Sequence, residues 1–207
     1  MQFVPILLAA SSLAGLFLAF KTFRDAERSQ REEQGDPDDA ESDRGDFIVG
    51  SAPNFGGDIP RGSAGTRLDD VFQTVGEQYG VDWRLLKAVA SVESSLRPDA
   101  YNPDDPSYGL MQILCTGDGE VCENAFNIDP WPVRRQELYD PQLNVSLGAQ
   151  ILGWNIRTYG LEKGVAVYNK WSARNESAPF SNQRYVDAVF AAARQMGFDP
   201  GADTAIA

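Results

Sequence analysis

Residues 82–98 read as one helix that carries a carboxylate on the side that should be buried. Asp82 can cap its start. Pro98 stops it, because a residue before proline avoids the α region. At about 100° per residue, Leu86, Val89, Ala90, Glu93 and Leu96 share one face. Glu93 lies only about 20° around the helix from Leu86. Burying an unpaired carboxylate is costly, and the usual response is a raised pKa. A carboxyl group that stays protonated near neutral pH is what a general acid needs. The competing reading is a slightly rotated helix that leaves Glu93 solvated at the edge of the face.

The residues after Glu93 narrow this choice. Glu93-Ser94-Ser95-Leu96-Arg97-Pro98 is followed by Ser107-Tyr108-Gly109-Leu110-Met111-Gln112-Ile113. Then come Asp140-Pro141-Gln142-Leu143-Asn144 with Gly148, Ala166-Val167-Tyr168-Asn169, and Arg184-Tyr185-Val186. In this order and rough spacing, over residues 66–197, the chain resembles the lytic transglycosylases with the soluble-lytic-transglycosylase (SLT, goose-lysozyme-like) domain. Asn102 and Asp105-Pro106-Ser107-Tyr108-Gly109 look closest to the small versions attached to secretion, conjugation and phage-penetration machines.

The resemblance implies an all-α, lysozyme-like fold in which Glu93 is the sole catalytic acid and base. It implies that Met111, Gln112, Tyr168 and Asn169 line a sugar groove, with Asn102 and Ser107 as further substrate-binding residues. Tyr185 is expected to hydrogen-bond near the catalytic carboxylate. These residue types suit those roles. Tyr has an apolar face for a sugar ring and a hydroxyl for its edge. Gln and Asn amides can pair with an N-acetyl group as donor and acceptor together. The competing readings are core packing for Tyr168 and Tyr185, and a helix C-cap for Asn169. The position after Asn169, often Gly in the family, is Lys170 here.

Composition limits the chemistry independently. The 207 residues include no histidine. That excludes a Ser-His-Asp triad, a Cys-His peptidase and the His-ligated zinc sites of amidases and metallopeptidases. A cell-wall enzyme without histidine is left mainly with carboxylate chemistry on glycans. Net charge is −12, of which −6 lies in residues 24–46 and −7 in residues 66–207. No basic patch points to nucleic acid. The acidic domain also gains no long-range attraction to anionic lipid or teichoic acid. No cofactor is implied.

Residues 3–20 are an uncharged run of 18, followed by Lys21. That is near the shortest length that spans a bilayer. A secretory signal would need a basic segment ahead of the run, and there is none. A retained transmembrane anchor over residues 1–23 is expected. Lys21, Arg24, Arg28 and Arg31 all follow the span, so the positive-inside rule puts the rest of the chain on the cytoplasmic side. Peptidoglycan lies on the other side. Two settings reconcile this: a bacterial inner membrane whose machinery overrides the rule, with the domain facing the periplasm, or the membrane of a virion. Residues 24–34 can extend the helix, and Gly35 stops it. Residues 35–65, rich in Asp, Gly, Ser and Pro, read as a linker with a reach of roughly 30 Å.

The domain is expected over residues 66–198, with 199–207 as a C-terminal tail. Thr66-Arg67-Leu68-Asp69 looks like a capping box for a first helix with Leu68, Val71, Phe72 and Val75 inward, closed at Tyr79-Gly80. The segment at residues 99–106, rich in Asp and Pro, reads as too irregular for an element. Residues 109–113 should bring backbone close to the cleft. Asp140-Pro141 starts a helix to about Tyr159, with Leu143, Leu147, Ile151 and Trp154 inward. A shorter helix follows over 161–168, and a last one starts at Ser181 with Tyr185, Val189 and Ala192 inward. Any β-structure is expected as a small hairpin near the cysteines. Cys115 and Cys122, the only two, bracket a polar turn and would pair as a local disulfide in an oxidising compartment. Two free thiols, or a zinc half-site that here lacks partners, are the alternatives.

The expected activity is cleavage of the β-1,4 bond between N-acetylmuramic acid and N-acetylglucosamine in peptidoglycan, leaving 1,6-anhydromuramic ends. It would serve local wall opening for phage infection or envelope-machine assembly, with virion or secretion-machine proteins as partners. Two other classes stay open: a hydrolytic muramidase, and a non-catalytic wall-binding or virion structural protein.

Overall fold

The computed structural model describes residues 67–116, 119–122 and 133–206. The expected anchor, juxtamembrane helix and linker, and Thr66, lie outside the described residues. Among the described residues no helix is long and apolar enough to cross a membrane.

The fold is mostly helical. The helices are α1 (Leu68–Tyr79), α2 (Trp83–Ser94), α3 (Pro141–Tyr159), α4 (Leu161–Asn169) and α5 (Gln183–Gln195), with short 3-10 turns at Arg135–Tyr139 and Trp171–Asn175. Between α2 and α3 lie three two-residue strands, β1 (Tyr101–Asn102), β2 (Ser107–Tyr108) and β3 (Ile113–Leu114), antiparallel in the order β1-β2-β3. The sheet thus precedes the cysteines, where only a hairpin beside them was expected. It also takes in part of the segment expected to be irregular. Asn102 pairs with Ser107, so Pro103, Asp104, Asp105 and Pro106 are the turn, and the strands flank them. Across the same pair, the Tyr101 and Tyr108 rings lie 4.8 Å apart, the kind of cross-strand contact that stabilises a short ladder.

Helix α3 is the core. Every residue from 142 to 153 is buried, so polar Gln142, Asn144, Ser146 and Gln150 are inside along with the apolar positions. Trp154, expected inward, is only half-buried. A single inward face was the wrong expectation, because α1, α4 and the 3-10 turn before α3 all pack on it. Asp140 caps its start, accepting from Leu143 N at 2.9 Å, with Pro141 in the first turn.

Helix α1 starts without the expected capping box. Its N-cap is Arg67, which makes no side-chain cap bond, and Asp69 pairs with Lys87 Nζ at 2.5 Å instead. Gly80, at φ 63°, closes it. Helix α2 is capped by Asp82, which accepts from Arg84 N at 2.9 Å. It ends at Ser94, not at Arg97. Ser95 and Leu96 are both left-handed (φ 58° and 59°), and their N–H groups turn back to Ser91 O and Ala90 O. Leu96 is therefore off the helix face on which periodicity placed it. Helix α5 begins at Gln183, two residues after Ser181, and buries Tyr185, Val189 and Ala192.

Residues 199–206 close back onto the domain. Asp82 N donates to Ala205 O at 2.9 Å, Val81 bridges Ile206, and Asp203 pairs with Arg84 at 3.2 Å. Helix α2 is therefore held at its start by the end of the chain.

Candidate active site

The turn between β2 and β3 is buried, and Asn144 on α3 makes that affordable. Gly109, Leu110 and Met111 have no room for water, so their backbone groups need protein partners. Asn144 is fully buried. Its Oδ1 accepts from Met111 N at 2.7 Å, and its Nδ2 donates to Tyr108 O at 2.7 Å and Leu138 O at 2.8 Å. Gly109 sits at φ 74°, and a Cβ there would collide with the Asn144 amide and Leu138 O. One helical turn beyond Asn144, a Cβ on Gly148 would meet the Met111 side chain at 2.7–2.9 Å. Both glycines are thus required by close approach.

Two phenols from different helices converge on this turn and on Glu93. Tyr168 Oη, from α4, donates to Met111 O at 2.8 Å. Tyr185 Oη, from α5, donates to Glu93 Oε1 at 2.7 Å. Burial, and then the Glu93 carboxylate nearby, push the Tyr168 phenol well above its ordinary value of 10.0. It therefore remains a donor at any physiological pH. Glu93 itself is half-buried in the last turn of α2, with the left-handed pair Ser95-Leu96 directly after it.

The remaining candidates fall around this centre. Met111 is fully buried; it presents its carbonyl to Tyr168 and its side chain to Gly148. Gln112 is half-buried and left-handed (φ 48°), its Nε2 donating to Gly109 O at 2.9 Å. Asn169 is exposed at the end of α4, where its Oδ1 accepts from Asn182 Nδ2 at 3.1 Å. The following Lys170 is extended (φ −137°), so no glycine is needed there. Asn102 and Ser107 face each other across β1 and β2. Asn102 accepts from Asp104 N at 3.3 Å, a local turn bond, and Ser107 is buried. Asp99, Asp104 and Asp105 are exposed, and Asp99 pairs with Arg97 at 3.4 Å. Cys115 and Cys122 are joined by a disulfide, their Cα atoms 4.8 Å apart.

Sequence reasoning gave no role to Asn144 or Asn182. Asn144 had a signal: a polar residue beside Leu143 and Leu147, on the inward side of a capped helix. Asn182 had none beyond standing near a helix start.

Residues 70–185, more than half of the chain, match the model of the transglycosylase SLT domain. The chain belongs to that family. Membrane-bound lytic murein transglycosylase E of Buchnera aphidicola subsp. Acyrthosiphon pisum (strain APS) is 33% identical over 86 residues, covering 42% of this chain and 38% of that protein. Membrane-bound lytic murein transglycosylase C of Edwardsiella ictaluri (strain 93-146) is 32% identical over 91 residues, covering 44% of this chain and 24% of that protein. The match thus spans well under half the length of either relative. In this SLT domain the match begins in α1 and reaches Tyr185, so it takes in Glu93, the buried turn, Tyr168 and Asn169.

Tyr185→Phe removes the hydroxyl that donates to Glu93 and keeps the buried ring. Turnover on purified murein is expected to fall by about tenfold or more with the thermal transition nearly unchanged. Full turnover in the folded variant would show that the phenol does not serve Glu93.

Proposed function

We propose that this protein is a peptidoglycan lytic transglycosylase that cuts the β-1,4 bond between N-acetylmuramic acid and N-acetylglucosamine and leaves 1,6-anhydromuramic ends. The observation that carries the reading is that, among the described residues, the site offers one carboxylate, Glu93, held by Tyr185 beside a turn that otherwise offers amides, phenols and backbone. An inverting hydrolase needs a second carboxylate about 6.5 to 9.5 Å from the acid to hold a water, and a retaining one needs a closer nucleophile. The acids of the β1–β2 turn, Asp104 and Asp105, are exposed turn residues.

One carboxylate suffices for the lytic reaction. Neutral Glu93 gives its proton to the glycosidic oxygen as the bond to C1 breaks. The substrate's own acetamido carbonyl stabilises C1, with Asn169 or Gln112 orienting that group. Ionised Glu93 then takes the proton of the C6 hydroxyl, and O6 bonds to C1 of the same sugar. Proton donor and acceptor are restored, no water is consumed, and intramolecular attack gains from proximity.

Mass spectrometry of unreduced murein digests tests this. Anhydro products, one water lighter than hydrolytic ones, are expected, and none from Glu93→Gln. Hydrated products lost on Asp104→Asn or Asp105→Asn would make the protein a muramidase. Murein binding without cleavage would make it a wall-binding or structural protein.

The proposal includes a single-pass anchor through residues 3–20, in a bacterial inner membrane or a virion. It rests on the uncharged run, and the two relatives named membrane-bound are in keeping with it. An anchored, linker-tethered domain would open the wall locally, for an envelope machine or an infecting phage. The full chain should resist extraction from membranes by high salt and carbonate. Release by carbonate, or mature protein beginning after residue 20, would remove the anchor from the proposal.

A further inference from the structure

We infer that Asn182 is a positioning residue for Asn169, turning its amide so that Nδ2, not Oδ1, faces the substrate. The inference rests on the lytic reading of the site and adds a residue to it.

Asn182 occupies the N-cap of α5, at φ −105° and ψ 31°. An asparagine there ordinarily turns its oxygen to an N–H of the first helical turn. This one makes no side-chain cap bond, and its Oδ1 is buried without a hydrogen-bond partner. The helix start is closed by Gln183 instead: Phe180 N donates to Gln183 Oε1 at 3.0 Å, and Gln183 N to Phe180 O at 2.9 Å. The Asn182 side chain is directed to the end of α4. Its Nδ2 donates to Ala166 O at 2.8 Å and to Asn169 Oδ1 at 3.1 Å.

This pattern fixes both amides. A peptide oxygen only accepts, so the Asn182 atom facing Ala166 O is the nitrogen. That nitrogen has no lone pair to offer Asn169, so the facing atom of Asn169 is its oxygen. Asn169 Nδ2 is thereby turned the other way, and it makes no hydrogen bond to a described residue. The group left to meet a ligand is a donor, the partner that a carbonyl needs. In the lytic reaction that carbonyl belongs to the acetamido group that supports C1. Three residues along α5, on the same side, Tyr185 holds Glu93. One helix turn therefore sets both the acid and the amide.

A double-mutant cycle on the full chain in detergent, with soluble uncross-linked glycan strands, tests this. Asn182→Ala and Asn182→Asp should each lower kcat on the order of tenfold and leave KM within about twofold. In an Asn169→Ala background, adding Asn182→Ala should change kcat by less than about twofold. An equal loss in both backgrounds would make Asn182 a structural residue only, and unchanged kcat in the single variants would also overturn the inference. A second arm does not need activity: Asn169→Ala should shift the Asn182 side-chain NH2 signals in the NMR spectrum. Unmoved signals overturn the link whatever the kinetics. A wild-type chain that cleaves nothing would sink the lytic reading, and the NMR arm would then decide the Asn182–Asn169 contact by itself.

Discussion

The buried amide of Asn144 is the interaction on which the rest of the site depends. A loop cannot be buried unless its peptide groups find partners. Residues 109–111 of the turn are buried, and one side chain on α3 satisfies Met111 N, Tyr108 O and Leu138 O together. Several other features follow from that. Gly109 must be glycine because the amide lies against it, and Gly148 because Met111 lies against it. Met111 O is left pointing at Tyr168, which ties α4 to the turn. The floor of the site is thus a loop held by a helix, and the walls are helices held by that loop.

Glu93 is fixed from the other side. Helix α5 supplies Tyr185 to the carboxylate and, through Asn182, sets the end of α4. Helix α2, which carries Glu93, packs against α5 and is closed at its start by residues 199–206. All three non-glycine residues with positive φ among the described residues, Ser95, Leu96 and Gln112, lie just after Glu93 or at the end of the buried turn. Each such residue costs on the order of 1 kcal/mol or more, and such strain persists where the surroundings over-determine it. Here the surroundings are the α2 terminus and the Asn144-held turn.

What was legible in the sequence was local. Asp82, Gly80 and Asp140-Pro141 marked helix ends through cap chemistry that needs no tertiary knowledge. Glu93 stood out because a carboxylate broke an apolar face. The rest needed the third dimension. The strands are two residues long, too short for alternation to show. Periodicity gave α3 one inward face because it cannot represent a helix packed on all sides. The α2 terminus was misplaced because Pro98 is a strong stop, while the earlier left-handed pair has no sequence signal of its own. The direction of each amide, and the return of residues 199–206 to Asp82, follow from contacts between segments far apart in the chain.

Asn144 is where those distant contacts meet, and replacing it is the most direct test. Asn144→Ala takes the side-chain partner from Met111 N, Tyr108 O and Leu138 O at once, so a loss of about 3 kcal/mol of folding stability is expected. Asn144→Asp keeps the acceptor for Met111 N and loses both donors, so it should fall between. Denaturant unfolding gives the stability, and hydrogen exchange at the Met111 amide reports the turn itself. The predicted result is a large loss of stability with fast exchange at Met111. Stability within about 0.5 kcal/mol of the native protein, with Met111 still protected, would contradict the claim that Asn144 holds the site.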